Sequence, residues 1–138
     1  MNHLSDNNSQ NIFELKFDQI YNYPVCFTSD VFNISNNTLI KTIAAKNQTQ
    51  AKKILVFIDK GLINQNPRLL KKIVKYFEHH KNLFYLAKDP VVFPGGECVK
   101  NSWDHVHLAT RIMNDSALDR HGVLVAVGGG ALLDMAGF

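Results

Sequence analysis

Three consecutive glycines near the end of the chain have the residue types and spacing of an anion-binding turn. Gly128, Gly129 and Gly130 follow the apolar run Val123–Val127 and precede a short helical pattern. Because glycine has no Cβ, a phosphate group can approach the backbone, and the next helix offers free N–H groups and a positive dipole end. The segment predicts a pyrophosphate cradle, although a tight strand-to-helix turn without a ligand would contain the same glycines.

The glycine turn differs from the two common phosphate-binding motifs. Leu133 stands in the place of the third glycine of the Rossmann fingerprint, and no Gly-Lys-Ser/Thr follows as in a P-loop. Asp134 lies four residues after Gly130, so one helical turn returns its carboxylate toward the glycines, where it could accept a hydrogen bond from a sugar hydroxyl. The alternative is an acid that the helix dipole favours in a first turn.

Two further segments carry polar groups that could meet the glycine turn. Asp59 follows the apolar run 54–58, and the loop 94–96 is followed by Glu97 and Lys100. Ligands of parallel sheets bind outside the carboxyl ends of the strands, where all three segments fall. The sequence therefore predicts that Asp59, the Gly95-Gly96 loop and the triple glycine converge on one edge. Glu97 and Lys100 could grip a polar ligand there, or form a surface ion pair.

Other reactive residue types lack the spacing of a catalytic or metal site. The six histidines have no metal-ligand pattern, and no Gly-x-Ser-x-Gly elbow or nucleophile–base pair is present. Cys26 and Cys98 are far apart and have no CxxC partner, which fits a reduced, cytoplasmic protein. We therefore assign no catalytic residue and expect no metal site within this chain.

Hydrophobic periodicity predicts the elements that position these residues. Helices are expected around residues 39–44, after Pro67, and from an N-cap at Asn101 or Ser102. Strands are expected at residues 54–58, 83–86, 91–93 and 123–127. The helix after Ser102 should place Trp103, Val106, Thr110 and Met113 on its inner side. This alternation of strands and helices predicts an α/β fold with a mainly parallel sheet.

The opening of the chain shows two patterns. Residues 1–11 are rich in Asn, Ser and Gln and lack the features of a secretory signal, so we expect a disordered polar tail. Phe13, Leu15 and Phe17 alternate with polar residues, and residues 24–28 form a second apolar run. A short opening hairpin is the prediction from this pair of runs.

Length and composition bound the class of protein. The chain has 138 residues, of which 46% are hydrophobic and 20% charged, and its net charge is +3. These values fit one soluble domain and exclude collagen-like and wholly disordered chains. The small, scattered basic excess predicts no nucleic-acid partner, and no apolar run approaches the roughly 20 residues of a membrane span.

An ordered set of motifs resembles one known family. The set comprises residues 94–100 (Pro-Gly-Gly-Glu-Cys-Val-Lys), 118–120 (Leu-Asp-Arg) and 123–138, which include the triple glycine and Asp134. It resembles the N-terminal domain of dehydroquinate synthase and related sugar phosphate cyclases. The resemblance is strong over the second half of the chain and looser over residues 54–61. Over the first fifty residues only the pattern of apolar and polar residues is similar. It implies a Rossmann-like domain that binds NAD.

The resemblance also implies which residues contact NAD. The acid that ends a strand would hold the adenosine ribose, the Gly-Glu-x-x-Lys loop would contact polar groups of the cofactor, and the glycine turn would hold the pyrophosphate. The residues that match these positions are Asp59, Lys60, Gly61, Glu97, Cys98, Val99, Lys100, Gly128, Gly129, Gly130, Ala131 and Asp134.

The chemistry implied by the resemblance needs a second domain. In that family NAD transiently oxidises a secondary alcohol of a sugar phosphate, phosphate is eliminated, the ketone is reduced back, and an aldol step closes the ring. A divalent metal, zinc or cobalt, acts as Lewis acid and is held by one Glu and two His of a C-terminal domain. We expect residues 12–138 to be the NAD-binding domain, truncated before the metal domain, inactive alone, and prone to dimerise or self-associate.

Two departures from the family pattern leave the substrate open. The loop reads Gly95-Gly96-Glu97 where Asp-Gly-Glu is usual, and residues 131–133 replace Val-Val-Gly or Val-Ile-Gly. They suggest a divergent branch of dehydroquinate-synthase-like proteins. One alternative is an iron-dependent alcohol or glycerol dehydrogenase, which shares the fold and a glycine turn followed by Asp, but the Gly-Glu-x-x-Lys loop argues against it. The other is a non-catalytic nucleotide-binding module.

Overall fold

The computed structural model describes residues 16, 22–44, 49–96 and 103–137. In chain order the described elements are α1 (Thr38–Ile43), β1 (Lys52–Asp59), α2 (Lys60–Gln65), α3 (Leu69–His79), β2 (Phe84–Leu86), β3 (Val91–Phe93), α4 (Trp103–Asp115), β4 (Val123–Val127) and α5 (Gly130–Gly137). The predicted polar tail at residues 1–11 lies outside the described residues.

The β1 strand is the centre of a parallel sheet. Ile54 is paired with both Leu86 of β2 and Val123 of β4, and Phe57 with both Val91 of β3 and Ala126 of β4. Since a strand has two edges, β4 occupies one edge of β1, while β2 and β3 follow each other along the opposite edge. All three pairings are parallel, which confirms the predicted α/β, Rossmann-like fold.

Alternate residues of β1 pack into two core layers. Residues 54–58 are all fully buried, as their uninterrupted apolar run predicts for a strand that is covered on both faces. Ile54, Val56 and Ile58 pack in the layer of α3, with Ile73, Tyr76, Phe77, Phe84 and Phe32. Leu55 and Phe57 pack in the layer of α4 and α5, with Phe93, Ala109, Ile112, Leu132 and Met135. By the same alternation, Asp59 falls on the side of α4 and α5.

The α4 helix differs from the prediction in its inner face. Val106 and Met113 do pack in the core layer, but the fully buried positions are Ala109 and Ile112. Trp103 is 64% exposed, and Thr110 is exposed and donates its hydroxyl back to Val106 O at 2.9 Å. The assignment of Trp103 and Thr110 to the inner side is therefore wrong, because the helix turns its Val106–Ala109–Ile112–Met113 stripe toward β3 and α5.

The segment before α1 is not the second arm of a hairpin. Residues 22–29 contain no strand, and Tyr23, Val25 and Phe27 are 80%, 70% and 97% exposed. Asn36 holds this segment instead, since its side-chain amide donates to Thr28 Oγ1 at 2.9 Å and to Ser29 O at 3.0 Å. The predicted strand at residues 24–28 is wrong, and its partner positions 13, 15 and 17 lie outside the described residues.

The turn before β4 accounts for the Leu118-Asp119-Arg120 motif. Asp119 Oδ1 accepts hydrogen bonds from the backbone N–H of His121 at 2.9 Å and of Gly122 at 3.1 Å. These donors stabilise the ionised carboxylate and lower the pKa of Asp119. The motif thus fixes the entry of the chain into β4, the strand that carries the glycine turn.

Two lysines close the amino end of the sheet. Lys52 Nζ donates to Ile43 O, the last carbonyl of α1, at 3.0 Å, and Lys53 Nζ donates to Ala117 O at 2.8 Å and Ser116 O at 3.3 Å, just after α4. The carbonyls at the end of a helix lack helical donors and carry its negative pole. The lysines supply both donors and charge, so this end of β1 is tied to two helix ends.

Candidate functional site

Asp59 ends β1 and begins the next helix. Its backbone is extended, and its Oδ1 accepts the N–H of Gly61 at 2.6 Å, which makes it the N-cap of α2. An N-cap aspartate satisfies an unpaired helix donor and places its charge at the positive end of the helix. Since Oδ1 is held in this way, Oδ2 is the oxygen that a ligand could use.

Glycines from three loops surround this carboxylate. A Cβ on Gly61 would lie 3.0 Å from Asp59 Oδ1, a Cβ on Gly95 would lie 2.4 Å from it, and a Cβ on Gly128 would lie 3.0 Å from Asp59 Cβ. Contacts this short leave no room for a side chain at Gly95 or Gly128. The loops after β1, β3 and β4 therefore meet at Asp59, and the predicted convergence on one edge of the sheet is confirmed.

The glycine turn itself is open. A Cβ on Gly129 or on Gly130 would have no neighbour within 4 Å, and both residues are exposed. Helical bonding in α5 begins where Leu132 N and Leu133 N both reach Gly129 O, at 3.1 and 3.2 Å. The N–H groups of residues 129–131 come before that bond, so they have no helical acceptor, and the positive end of α5 is chemically suited to an anion.

The remaining predicted residues lie at different distances from this centre. Lys60 is exposed on the first turn of α2, Ala131 is half-buried in the first turn of α5, and Asp134 lies one turn further on the exposed side. Glu97, Cys98, Val99 and Lys100 lie outside the described residues. The structure thus brings together Asp59, Gly61 and Gly128, and the glycine turn continues from Gly128 into the open residues 129–131.

One residue at the centre was absent from the set implied to contact NAD. Gly95 approaches Asp59 more closely than the other two glycines. The sequence assigned the Gly95-Gly96 loop to this edge of the sheet but not the contact itself, which depends on the pairing of β3 with β1, in which Phe93 lies beside Asp59. Leu132 was also missed: it is buried under the turn, and its Cδ2 would lie 2.8 Å from a Cβ on Gly128.

The arrangement matches the needs of a dinucleotide. In dinucleotide-binding folds a glycine turn ends one strand and an acid follows the neighbouring strand, so that pyrophosphate and ribose are held side by side. Here β4 with the glycine turn and β1 with Asp59 are also adjacent and parallel, but the acid comes first in the chain. The N–H groups of the turn suit the phosphates, and the carboxylate suits hydroxyl donors.

Two surface grooves lie away from this site. One of about 540 Å³ runs between α3 and β2 and is flanked by Lys81 and Lys88. Another, of about 470 Å³, is lined by Leu70, Val74 and Pro90. Among the residues that the structure describes, no group of three or more His, Cys, Asp or Glu could hold a metal ion, and no described helix has the length and hydropathy to cross a membrane.

The parallel sheet and the glycine turn beside Asp59 define an α/β protein of the Rossmann-like class. Comparison with protein families narrows this class, since the 3-dehydroquinate synthase N-terminal domain matches residues 90–138. This match runs from the start of β3 through the glycine turn, and over these residues it confirms the resemblance to dehydroquinate-synthase-like proteins. Comparisons with curated proteins and with solved structures gave no match.

Proposed function

We propose that this chain is the NAD-binding part of a cytoplasmic, dehydroquinate-synthase-like sugar phosphate cyclase. One observation carries the proposal: the Asp59 carboxylate, the close-packed Gly95 and the open glycine turn meet at the carboxyl edge of adjacent parallel strands. The family match covers two of these three parts, the Gly95 loop and the glycine turn. Asp59 precedes the matched region, and its close approach to Gly95 and Gly128 supports its inclusion in the proposed site.

Each part has a distinct task toward NAD in this proposal. The N–H groups of Gly129, Gly130 and Ala131 bind the pyrophosphate, because they lack helical acceptors and lie at the positive end of α5. Asp59 Oδ2 accepts a hydrogen bond from the adenosine ribose, while Oδ1 stays on Gly61 N. The resemblance adds further contacts with the cofactor. They come from Lys60, on the exposed turn after the carboxylate, from Asp134 and from the segment 97–100.

The bound cofactor would supply transient hydride transfer to a secondary alcohol of a sugar phosphate. The described residues supply binding and orientation. In the family that the chain resembles, the divalent metal and most substrate contacts belong to a C-terminal domain, and we propose the same division for the parent of this chain. One edge of β4 has no partner strand among the described residues, and we expect self-association through that edge.

NADH titration monitored by fluorescence tests this proposal. Trp103 is the single tryptophan, is exposed, and begins α4 directly after the Gly-Glu-x-x-Lys loop, so bound NADH should quench its emission by energy transfer. We expect saturable quenching that NAD and ADP-ribose both reverse. Competition by ADP-ribose is the informative arm, because it contains the ribose and pyrophosphate but not the nicotinamide.

Two controls define what would contradict the proposal. Ribose 5-phosphate at the same concentration should leave the quenching unchanged, since it lacks the pyrophosphate. Isothermal calorimetry with NAD should give the same affinity as the competition. If neither method detects NAD or NADH binding at millimolar ligand, the proposal is wrong. Net NADH production from glycerol by the parent protein would favour a dehydrogenase instead.

A further inference from the structure

The two grooves beside α3 adjoin each other and form one surface, which we call the β2 groove. Val74, Glu78 and Asp89 line both of its halves. The apolar residues that line it are Leu70, Val74, Phe77, Phe84, Leu86 and Pro90. An accessible apolar surface with a charged rim is typical of a site that binds another chain.

The β2 strand borders this groove with an edge that has no partner strand among the described residues. Ala87 N, one residue past β2, donates to Ile54 O of β1 at 2.8 Å, so the odd-numbered residues of this segment bond to β1. Backbone groups alternate along a strand, so those of Phe84 and Leu86 point away from β1. His80 O accepts Phe84 N at 3.0 Å. Within the described ranges, Phe84 O and both backbone groups of Leu86 therefore remain available to one more extended chain.

The rim of the β2 groove is basic. It carries four exposed lysines and two exposed acids, which are Lys71, Lys75, Lys81, Lys88, Glu78 and Asp89. In the described part of the chain none of these six side chains makes an ion pair. The lysines outnumber the acids, so the charge of the rim favours an anionic partner.

We propose that the β2 groove binds an extended acidic segment of a partner protein, which adds to the edge of β2 as a further strand. The segment bonds to Phe84 O and to both backbone groups of Leu86, and its apolar side chains cover Val74. Its carboxylates lie near Lys81 and Lys88. This binding does not depend on the function proposed above, because the groove is separate from the edge that carries Asp59.

Two other occupants fit the groove less well. A second copy of this chain, paired edge to edge through a two-fold axis, would bring its own lysines against the lysines of the first copy, and like charges across an interface repel. A nucleic acid would use the lysines but neither the free strand edge nor the apolar floor. The acidic peptide segment uses all three features.

Fluorescence anisotropy with a labelled peptide tests the proposal on the full 138-residue chain. The probe is a peptide of about seven residues in which valine and glutamate alternate, and a peptide of alternating valine and lysine is its control. We expect saturable binding of the glutamate peptide and about tenfold weaker binding of the lysine peptide. If both bind equally, or if the glutamate peptide does not bind at millimolar protein, the proposal is overturned and the lysines only protect the edge from pairing.

Methylation of the probe backbone tests the added strand without altering the protein. In an extended peptide the N–H groups of the valines and those of the glutamates point to opposite sides. Methylation of all valine nitrogens blocks one side, and methylation of all glutamate nitrogens blocks the other. We expect one methylated peptide to lose binding and the other to retain most of it. Equal behaviour of the two would exclude pairing with β2.

Charge reversal on the rim tests where the peptide binds. In Lys81→Glu combined with Lys88→Glu, affinity for the glutamate peptide should fall about tenfold and affinity for the lysine peptide should rise. Lys41→Glu combined with Arg111→Glu is the matched control, since it makes the same change in net charge at exposed positions of α1 and α4. The control should stay within about twofold of wild type. An equal loss in the control would show general charge attraction and would overturn the proposed site.

Two further measurements decide between the occupants. We expect an oligonucleotide of thymidines not to displace the glutamate peptide; displacement would assign the groove to nucleic acid and overturn the proposal. We also expect light scattering to give the same oligomeric state for wild type and for Lys81→Glu combined with Lys88→Glu. A change of state in that variant would assign the groove to a second copy. Saturating NAD should leave the peptide affinity unchanged, so failure of NAD to bind would leave this result intact.

Discussion

The side chains at the two ends of β1 meet opposite surroundings. At the amino end, Lys52 and Lys53 extend to three carbonyls at or just beyond the ends of α1 and α4, and their long side chains fill the space between the elements. At the carboxyl end, the short Asp59 side chain is bounded by glycines of three loops.

The two ends differ in whether their charged groups already have hydrogen-bond partners within the chain. The lysines at the amino end are engaged by carbonyls of their own chain, and that end is closed. At the carboxyl end one carboxylate oxygen is held by Gly61 N, while the N–H groups of residues 129–131 precede the first helical bond of α5. Charge at the amino end of the strand therefore stabilises the fold, and charge at the carboxyl end serves recognition in the function that we propose.

Gly128→Val should give the largest effect at the carboxyl end. Its Cβ alone would lie 2.8 Å from Leu132 Cδ2 and 3.0 Å from Asp59 Cβ, so valine pushes α5 away from β1. Overpacking of this kind costs about 1–3 kcal/mol of unfolding free energy. Because the turn and the acid separate, we also expect NAD binding to be lost, as measured by calorimetry at a temperature where circular dichroism shows the variant folded. A variant that retains wild-type affinity would contradict this role of Gly128.

Asp59→Asn should separate recognition from stability. Asparagine is as good an N-cap as aspartate, so the free energy of unfolding should change by less than about 1 kcal/mol. NAD affinity should fall about tenfold, because the acceptor is no longer charged. Asp115→Asn, on the exposed last residue of α4, is the matched control and should leave affinity unchanged. Urea denaturation and calorimetry provide the two readings, and an unaffected affinity in Asp59→Asn would remove the carboxylate from the site.

Lys53→Met should produce the reverse pattern at the amino end. The variant keeps most of the apolar length of the side chain but loses the bonds to Ser116 O and Ala117 O. We expect a loss of about 1 kcal/mol in unfolding free energy, read from urea denaturation, and NAD affinity within about twofold of wild type. A large loss of NAD affinity in Lys53→Met would contradict the distinction between a structural amino end and a binding carboxyl end of β1.

The smallest expected effect is a pH dependence at the end of α3. Burial, and the neighbouring His79, lower the pKa of His80 below its ordinary value of 6.5. Its ring contacts Tyr76 with centroids 4.8 Å apart, and its Nε2 is buried without a hydrogen-bond partner in the described part of the chain. As the pH falls through about 6.5, the unfolded chain takes up a proton before the folded one, so stability falls.

His80→Gln isolates this contribution. The fall in unfolding free energy between about pH 7.5 and pH 5.5 should be smaller in His80→Gln than in wild type, since the titrating group is removed and the carboxylates are common to both. Urea denaturation at the two pH values measures it. Equal slopes would show that His80 is not the group whose proton uptake weakens the fold.

The elements and the meeting of the loops were predictable because they follow from periodicity. An apolar run without polar interruption, as at residues 54–58, requires cover on both faces, and parallel strands bring their carboxyl ends together. Asp59 and Gly128 could therefore be assigned to one edge without coordinates. The fit of β2 and β3 along a single edge of β1 depends on register, which short strands such as Val91–Phe93 do not determine.

The predictions were wrong where an apolar residue lies on the surface and does not pack in the core. Trp103 fits the helical spacing of α4 but lies one turn beyond the layer that Phe93 and Leu132 form. Tyr23, Val25 and Phe27 alternate as a strand would, yet the segment is held by Asn36 through side-chain bonds that no periodicity encodes. The Gly95 loop was assigned to the correct edge, but its contact with Asp59 was not predicted, because that contact depends on the register of β3 along β1.

The reversed order of acid and glycine turn along the chain has a consequence for folding. Asp59 belongs to β1, the first described strand, and Gly128 follows β4, the last described strand. The site formed by Asp59 and the glycine turn is therefore not contained in a short stretch of sequence. It forms only after β4 has paired with β1, the pairing with the largest sequence separation in the described sheet. During translation the edge of β1 that pairs with β4 has no partner there until β4 emerges. A nucleotide that contacts both strands would bind only the folded chain and would stabilise the pairing of β1 with β4. Its binding would therefore show that the sheet has formed.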